Sequence, residues 1–198
     1  MMPQRWWTML SMLIFVGAAH GAVPFFNPIQ RKMLEEGKVL VTNLKPTGGD
    51  GVAALAMAVV KAPVAKVWPV IRDCHRYQEF MPRAKRTGRT NRVGNRAVCE
   101  LEISLPFPLS NLKSKVNSVE SQLKDGGRRR AWTLKEGTYK RNTGSWTIHP
   151  WDTNPEWTLL VYKIDVEPDN MIPDSFMRKA QASTLPDTLK AVRKRAMR

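Results

Sequence analysis

Apolar residues recur along this chain with two periods, and the change of period marks out its elements. Over residues 96–105 the alternation is strict. Ala97, Cys99, Leu101, Ile103 and Leu105 fall on one side, and Glu100, Glu102 and Ser104 on the other. A period of two sends successive side chains to opposite faces of a strand, so this segment predicts a strand with one face in a core. The same reading predicts strands over residues 39–44, 52–61, 85–92, 113–122, 128–134, 143–149 and 157–166. Turn-forming clusters at 46–51, 106–110, 124–127, 136–137 and 152–155 separate them. Within 52–61, Ala54, Ala56 and Ala58 alternate with Leu55, Met57 and Val59. The alanine face is small enough for another element to approach closely.

Elsewhere the period is that of a helix. Asn27-Pro28 supplies a capping side chain and a proline suited to a first helical position, and Gly37 ends that short helix. Behind Pro63, Val64, Val67, Trp68 and Ile71 form an apolar stripe, with Pro69 inside it expected to bend the helix. A second short helix over 75–81 carries Tyr77 and Phe80 and stops at Pro82. The longest helix begins at Asp174, a capping residue. Phe176, Met177, Ala180 and Thr184 share one face; Leu185, Leu189, Val192 and Ala196 share another. The phase changes at Pro186, where a kink is expected. The first half is predicted to line a cavity and the second to clamp a sheet. Consecutive hairpins closed by one long helix predict an α+β fold, an antiparallel sheet wrapped around that helix.

Composition narrows the picture. The chain has 198 residues, 42% of them hydrophobic, which suits one globular domain. Residues 1–22 read as a secretory signal: Arg5, an apolar run over 6–16, then Ala19 and Gly21 at the cleavage positions. Cleavage is expected after Gly21 or Ala22; an uncleaved anchor is the alternative, and the run is short for a span. That leaves an N-terminal extension with a short helix over 23–38 and one domain over 39–198. The mature protein is expected outside the cytoplasm, periplasmic or extracellular, and monomeric. The net charge of +15, from 32 basic and 17 acidic residues, suits an anionic partner. Export argues against nucleic acid and for an anionic membrane surface. Cys74 and Cys99 lack the spacing of a redox or zinc motif. Two buried thiols are expected, with a Cys74–Cys99 disulfide left open as the alternative in an oxidising compartment.

Pro63-Val-Ala-Lys-Val-Trp-Pro-Val-Ile-Arg-Asp73, followed by Tyr77-Gln-Glu-Phe80, resembles the first helix pair of the START-like (SRPBCC) superfamily. Its members include polyketide cyclases and the coenzyme Q-binding family. Gly144-Ser-Trp-Thr-Ile-His-Pro150, Thr158-Leu-Leu-Val-Tyr162, Ile172-Pro173 and the final helix resemble its later strands and closing helix. The resemblance runs over residues 39–196; Pro69 departs from it. It implies a helix-grip (Bet v 1-like) fold, a seven-stranded antiparallel sheet gripping the long helix around an apolar cavity.

Strand alternation nominates Leu101, Ile103, Leu105, Trp132, Trp146 and Tyr162 for the cavity wall, and the helices add Trp68, Phe80, Phe176, Met177 and Ala180. Alternate hairpin turns lie at one end of a sheet. The segments 106–110, 135–141 and 168–173 therefore share an end, expected to be a portal that meets membrane. Phe107, Leu109, Tyr139, Met171 and Ile172 would be its apolar tips, ringed by Lys135, Lys140 and Arg141. Little in the sequence points to catalysis. His75 beside Cys74 reads as a helix-terminus residue and His149 as a polar surface or rim residue. Glu100 and Glu102, and the basic runs 83–96, 128–130 and 190–198, read as solvated faces, and the face taken by Asp165 stays open. No metal-ligand spacing or phosphate-binding loop appears, and no cofactor is expected beyond a bound lipid or isoprenoid. The expected function is carriage of a hydrophobic ligand, an isoprenoid quinone, a sterol or hopanoid, or a fatty-acyl lipid. A cyclase or hydratase acting through Tyr162 or His149 is the alternative. A basic envelope protein without a cavity is the third.

Overall fold

A computed structural model describes residues 23–88, 91–169, 172 and 174–198, without the side chains of Asp174, Ser175, Lys179, Ala180 and Gln181. Three helices, α1 (Pro28–Glu35), α2 (Val64–Arg72) and α3 (Asp174–Ala196), accompany nine strands among these residues. The strands are β1 (Leu40–Leu44), β2 (Val52–Val60), β3 (Ala84–Thr87), β4 (Asn91–Val93), β5 (Arg96–Ile103), β6 (Leu112–Gln122), β7 (Arg128–Gly137), β8 (Tyr139–Trp151) and β9 (Asn154–Pro168). A 3-10 helix, Cys74–Glu79, follows α2. The strands form one antiparallel sheet in the order β1-β2-β9-β8-β7-β6-β5-β3, with β4 also on β5. Nine strands replace the expected seven partly because the predicted strand over 85–92 divides. β3 pairs with the end of β5 and β4 with its start. Between them Gly88 lies so close to Glu100 that a Cβ would sit 2.8 Å from the Glu100 Cβ.

β2 is buried on both faces, which explains why it reads as a nearly continuous apolar run. Ala54, Ala56 and Ala58 face inward and pack with Leu185, Leu189, Val192 and Ala196 of α3. The small alanine side chains are what let the helix lie close to the sheet. Met57 and Val59 face outward, under Phe26 and the fully buried Leu34 of the N-terminal segment, together with Trp151, Leu159 and Val161. The segment over 23–38 therefore roofs the outer face of the sheet. Its helix starts as the sequence predicts: Asn27 Oδ1 accepts from the Gln30 N–H at 2.8 Å, and Gln30 Oε1 accepts from the Asn27 N–H at 3.1 Å. Arg31 anchors it across the sheet to Asp152, with Nη1 to Oδ1 at 2.6 Å.

α3 runs unbroken through Pro186. α2 and the residues before it close one end of the space beneath α3, where Val67, Trp68 and Ile71 pack with Val60, Ile148 and Leu189.

Candidate functional site: an apolar cavity with a charged inner end

Between the sheet's inner face and α3 lies a cavity of about 260 Å³. Its wall includes Leu101, Ile103 and Leu105 from β5 and its exit, Trp132 from β7, Trp146 from β8, and Tyr162 from β9. Phe176 and Met177 complete it from α3. Strand alternation places each of these strand residues on the inner face, as the sequence predicts. Ala180 and Met171 fall outside the described side chains and residues. The expected division of α3 is too sharp, because Leu185 and Thr188, on either side of Pro186, also line the cavity.

Two sequence-predicted wall residues lie elsewhere. Trp68 is buried in the plug formed by α2, with the Arg128 guanidinium 5.7 Å from its ring centroid. Phe80 packs edge-on against Tyr77 at 5.9 Å and under Arg195 at 5.8 Å, behind the wall. The helical period marks a residue as buried but does not say on which side of a plug it is buried.

Aromatic rings form one wall. Trp146 stacks on Tyr162 at 3.9 Å between centroids and 16° between planes, and Trp132 lies 5.9 Å from Tyr162 on its other flank. Trp132 Nε1 donates to Asn142 Oδ1 at 3.0 Å, which satisfies the indole inside an apolar site. The Trp132 ring fills the space over Gly144: a Cβ on Gly144 would lie 2.3 Å from Trp132 Cζ2.

At the inner end the wall turns polar. The basic run 128–130, read as solvated, is not. Burial lowers the pKa of Arg129, and Arg130 is 3% exposed and part of the cavity wall. Arg130 has the same parity as Trp132, so alternation pointed inward while charge pointed outward. Arg130 Nη1 donates to the carbonyls of Ile71 at 3.0 Å and Arg72 at 3.4 Å, and lies 3.3 Å from the Tyr77 hydroxyl. Tyr77 itself donates to the Ile71 carbonyl at 2.5 Å. These carbonyls end α2, where helix geometry leaves acceptors unpaired and favours a cation. Burial raises the pKa of Tyr77, and likewise those of Tyr139 and Tyr162. All three are neutral hydroxyls at ordinary pH.

Cys74 and Cys99 are bonded, with their Cα atoms 6.2 Å apart. The expectation of two thiols is corrected: the 3-10 helix packs on β5, bringing together residues that no local motif connects. Cys99 is in the cavity wall, so the bridge ties the 3-10 helix to that wall. It also removes Cys74 as a nucleophile beside His75, which contacts the Gly88 carbonyl through Nδ1 at 3.2 Å.

The other end of the cavity is where the three turns meet. Thr138 donates from N–H to the Lys113 carbonyl at 2.9 Å and accepts from the Asp169 N–H at 3.0 Å. The β5–β6, β7–β8 and β9–α3 connections therefore adjoin, as hairpin parity predicts. Tyr139 and Ile172 line the cavity there; Leu109 is half-buried, and Phe107 stands 97% exposed. The basic ring differs from expectation. The β8–β9 register shifts between Tyr139 and Arg141, so that Tyr139 lines the cavity while Arg141 faces outward. There it binds Asp165 through Nε at 2.9 Å, Glu167 through Nη1 at 2.7 Å and the Asp50 carbonyl through Nη2 at 2.6 Å. Lys140 sits 3.6 Å from Glu167. Arg83, which the sequence reading assigned to a solvated run, is the exposed cation at the cavity wall on this side.

His149 is not at a rim. It is 1% exposed, on the outer side opposite in parity to Trp146 and Ile148, and its Nδ1 lies 2.6 Å from Asp125 Oδ2. Glu100 and Glu102 pair outward with Lys115 and Lys85. Asp165 also faces outward, where it accepts from the backbone and hydroxyl of Thr47.

A family model described as polyketide cyclase/dehydrase and lipid transport matches residues 60–193. Among solved structures, a STAR-related lipid transfer protein from Xanthomonas axonopodis aligns with a TM-score of 0.71 at 20% identity, over 81% of this chain and 94% of that one. Human StAR-related lipid transfer protein 5 aligns with a TM-score of 0.69 at 13% identity, over 81% and 82%. The Zhui aromatase/cyclase of a Streptomyces species aligns with a TM-score of 0.58 at 16% identity, over 74% and 93%. At these identities the likeness is one of fold. No curated protein matches the chain by sequence.

Proposed function

The chain belongs to the polyketide cyclase/dehydrase and lipid transport family, and from that premise we propose that it is an exported carrier of a hydrophobic ligand. The ligand class is an isoprenoid quinone, a sterol or hopanoid, or a fatty-acyl lipid. The observation that carries this reading is the apolar cavity itself, walled by Leu101, Ile103, Trp132 and Phe176 and reaching the end where Phe107 stands in solvent. At about 260 Å³ it falls just below typical ligand sites of ~300–1,000 Å³. That size favours one chain or a small ring system over a two-chain lipid. Exchange would occur with the Phe107 end against an anionic membrane, favoured by the net charge of +15. The signal-like residues 1–22 and the Cys74–Cys99 bridge both support export to an oxidising compartment.

The cyclase reading rests on Tyr162, whose hydroxyl makes no hydrogen bond among the described residues. Burial raises its pKa, so at neutral pH it is a donor and not a base. His149, the other candidate, faces away from the cavity and is held by Asp125. Native mass spectrometry of protein purified from its own host tests the carrier reading. A co-purifying lipid is expected; protein that is uniformly empty speaks against it.

A further inference from the structure

Arg130 does more than cap α2. A guanidinium has five N–H donors, and Nη1 alone serves the carbonyls of Ile71 and Arg72. Nε is buried without a partner among the described residues. Nη2 makes no hydrogen bond to a described residue. These two nitrogens form one edge of the guanidinium fork, the edge that accepts a planar carboxylate side-on. No described carboxylate lies within ion-pair distance of Arg130. Glu120 stands directly across from it on β6, but is held by Arg72, at 3.0 Å, and by Arg92. Two guanidiniums thus occupy the carboxylate nearest in register to Arg130, which itself lies in the wall of an otherwise apolar cavity. Carbonyls at a helix C-terminus offset only part of the cost of burying a cation.

We propose that Arg130 is the headgroup subsite of the cavity, and that the ligand is a single-chain carboxylic acid bound carboxylate-first. Its carboxylate meets Arg130 near Tyr77. Its chain lies along Trp132 and Leu101 towards Ile172. The acid supplies the counter-charge that the fold leaves out, so the cavity selects for an anionic end as well as for apolar length. This inference rests on the carrier reading.

Delipidated wild-type protein titrated with oleic acid and with methyl oleate tests it, read through the fluorescence of Trp132 and Trp146 in the wall. The acid is expected to bind about tenfold or more tightly than the ester, the scale of one charge-assisted hydrogen bond. Arg130→Gln is expected to erase that preference, with circular dichroism confirming the fold. Equal binding of acid and ester by the wild type overturns the subsite while leaving the carrier reading standing. So does a preference that survives in Arg130→Gln. Binding of neither ligand overturns the subsite and the single-chain carrier reading together. The wild-type comparison decides alone if the variant does not fold.

Discussion

Gly144 lies under the indole of Trp132, with the Lys163 carbonyl 2.4 Å from where a Cβ would be. Neither neighbour can yield cheaply, because one is backbone and the other is stacked in an aromatic wall. Gly144→Ala should therefore destabilise the fold by about 1–3 kcal/mol, in the range of overpacked cores, and urea denaturation measures it. Asp165 carries the second residue-scale prediction. Burial works to raise its pKa, but hydrogen bonds from Thr47 and Arg141 and the charge of Arg141 outweigh it, so the carboxyl sits below its ordinary value. Its contribution is complete above about pH 4 and is lost as the pH falls through the depressed folded pKa. Asp165→Asn should lower stability at pH 7 by about 1–3 kcal/mol and flatten the acid limb of a stability–pH profile. Single residues were unevenly legible. Leu101, Ile103 and Trp132 follow from alternation, while Arg130 required parity to be trusted over charge. His149 looked like a rim residue because its partner Asp125 is 24 positions away.

At the scale of elements, the disulfide ties the 3-10 helix to β5 and closes a loop with a sequence separation of 25. Constraining the unfolded chain over such a loop stabilises by about 2–4 kcal/mol. Reductant should lower the thermal midpoint of the wild type and leave that of the Cys74→Ser, Cys99→Ser double variant unmoved; differential scanning calorimetry checks both. The helices show where local reading stops. The N-cap of α1 was legible in Asn27-Pro28, yet the reciprocal bond to Gln30 and the burial of Leu34 were not. Leu34 meets its partners only because β2 and β9 present Met57 and Val161 on the outer face. In α3 the change of phase at Pro186 was legible. That Leu185 and Thr188 also reach the cavity depends on how the helix sits over the sheet.

For the whole molecule, the turns that meet around Thr138 put Phe107 and the exposed Arg83 at the cavity end. If this end docks on lipid, association should combine an apolar tip with long-range attraction from the net charge of +15. Binding to vesicles containing phosphatidylglycerol should weaken as salt rises, and Phe107→Asp should weaken it further at every salt concentration, with cosedimentation as the readout. Binding that Phe107→Asp leaves unchanged would sink this docking geometry.

The sequence by itself determined the helices, most strand positions, the meeting of three turns at one end and the inward set on β5, β7, β8 and β9. Periods of two and of three to four, with proline and glycine as punctuation, are written in windows of a few residues. The tertiary structure decided which side chain answers which. It paired Cys74 with Cys99, turned Arg141 onto Asp165 and Glu167, and sent Trp68 into the plug. It also brought Arg130 to the end of α2, 59 positions from Ile71. Those outcomes depend on distances between residues far apart in the chain, and no local pattern encodes such a distance. Alternation could turn Arg130 inward; only the assembled fold placed it in the wall of an apolar cavity with no described carboxylate in ion-pair reach.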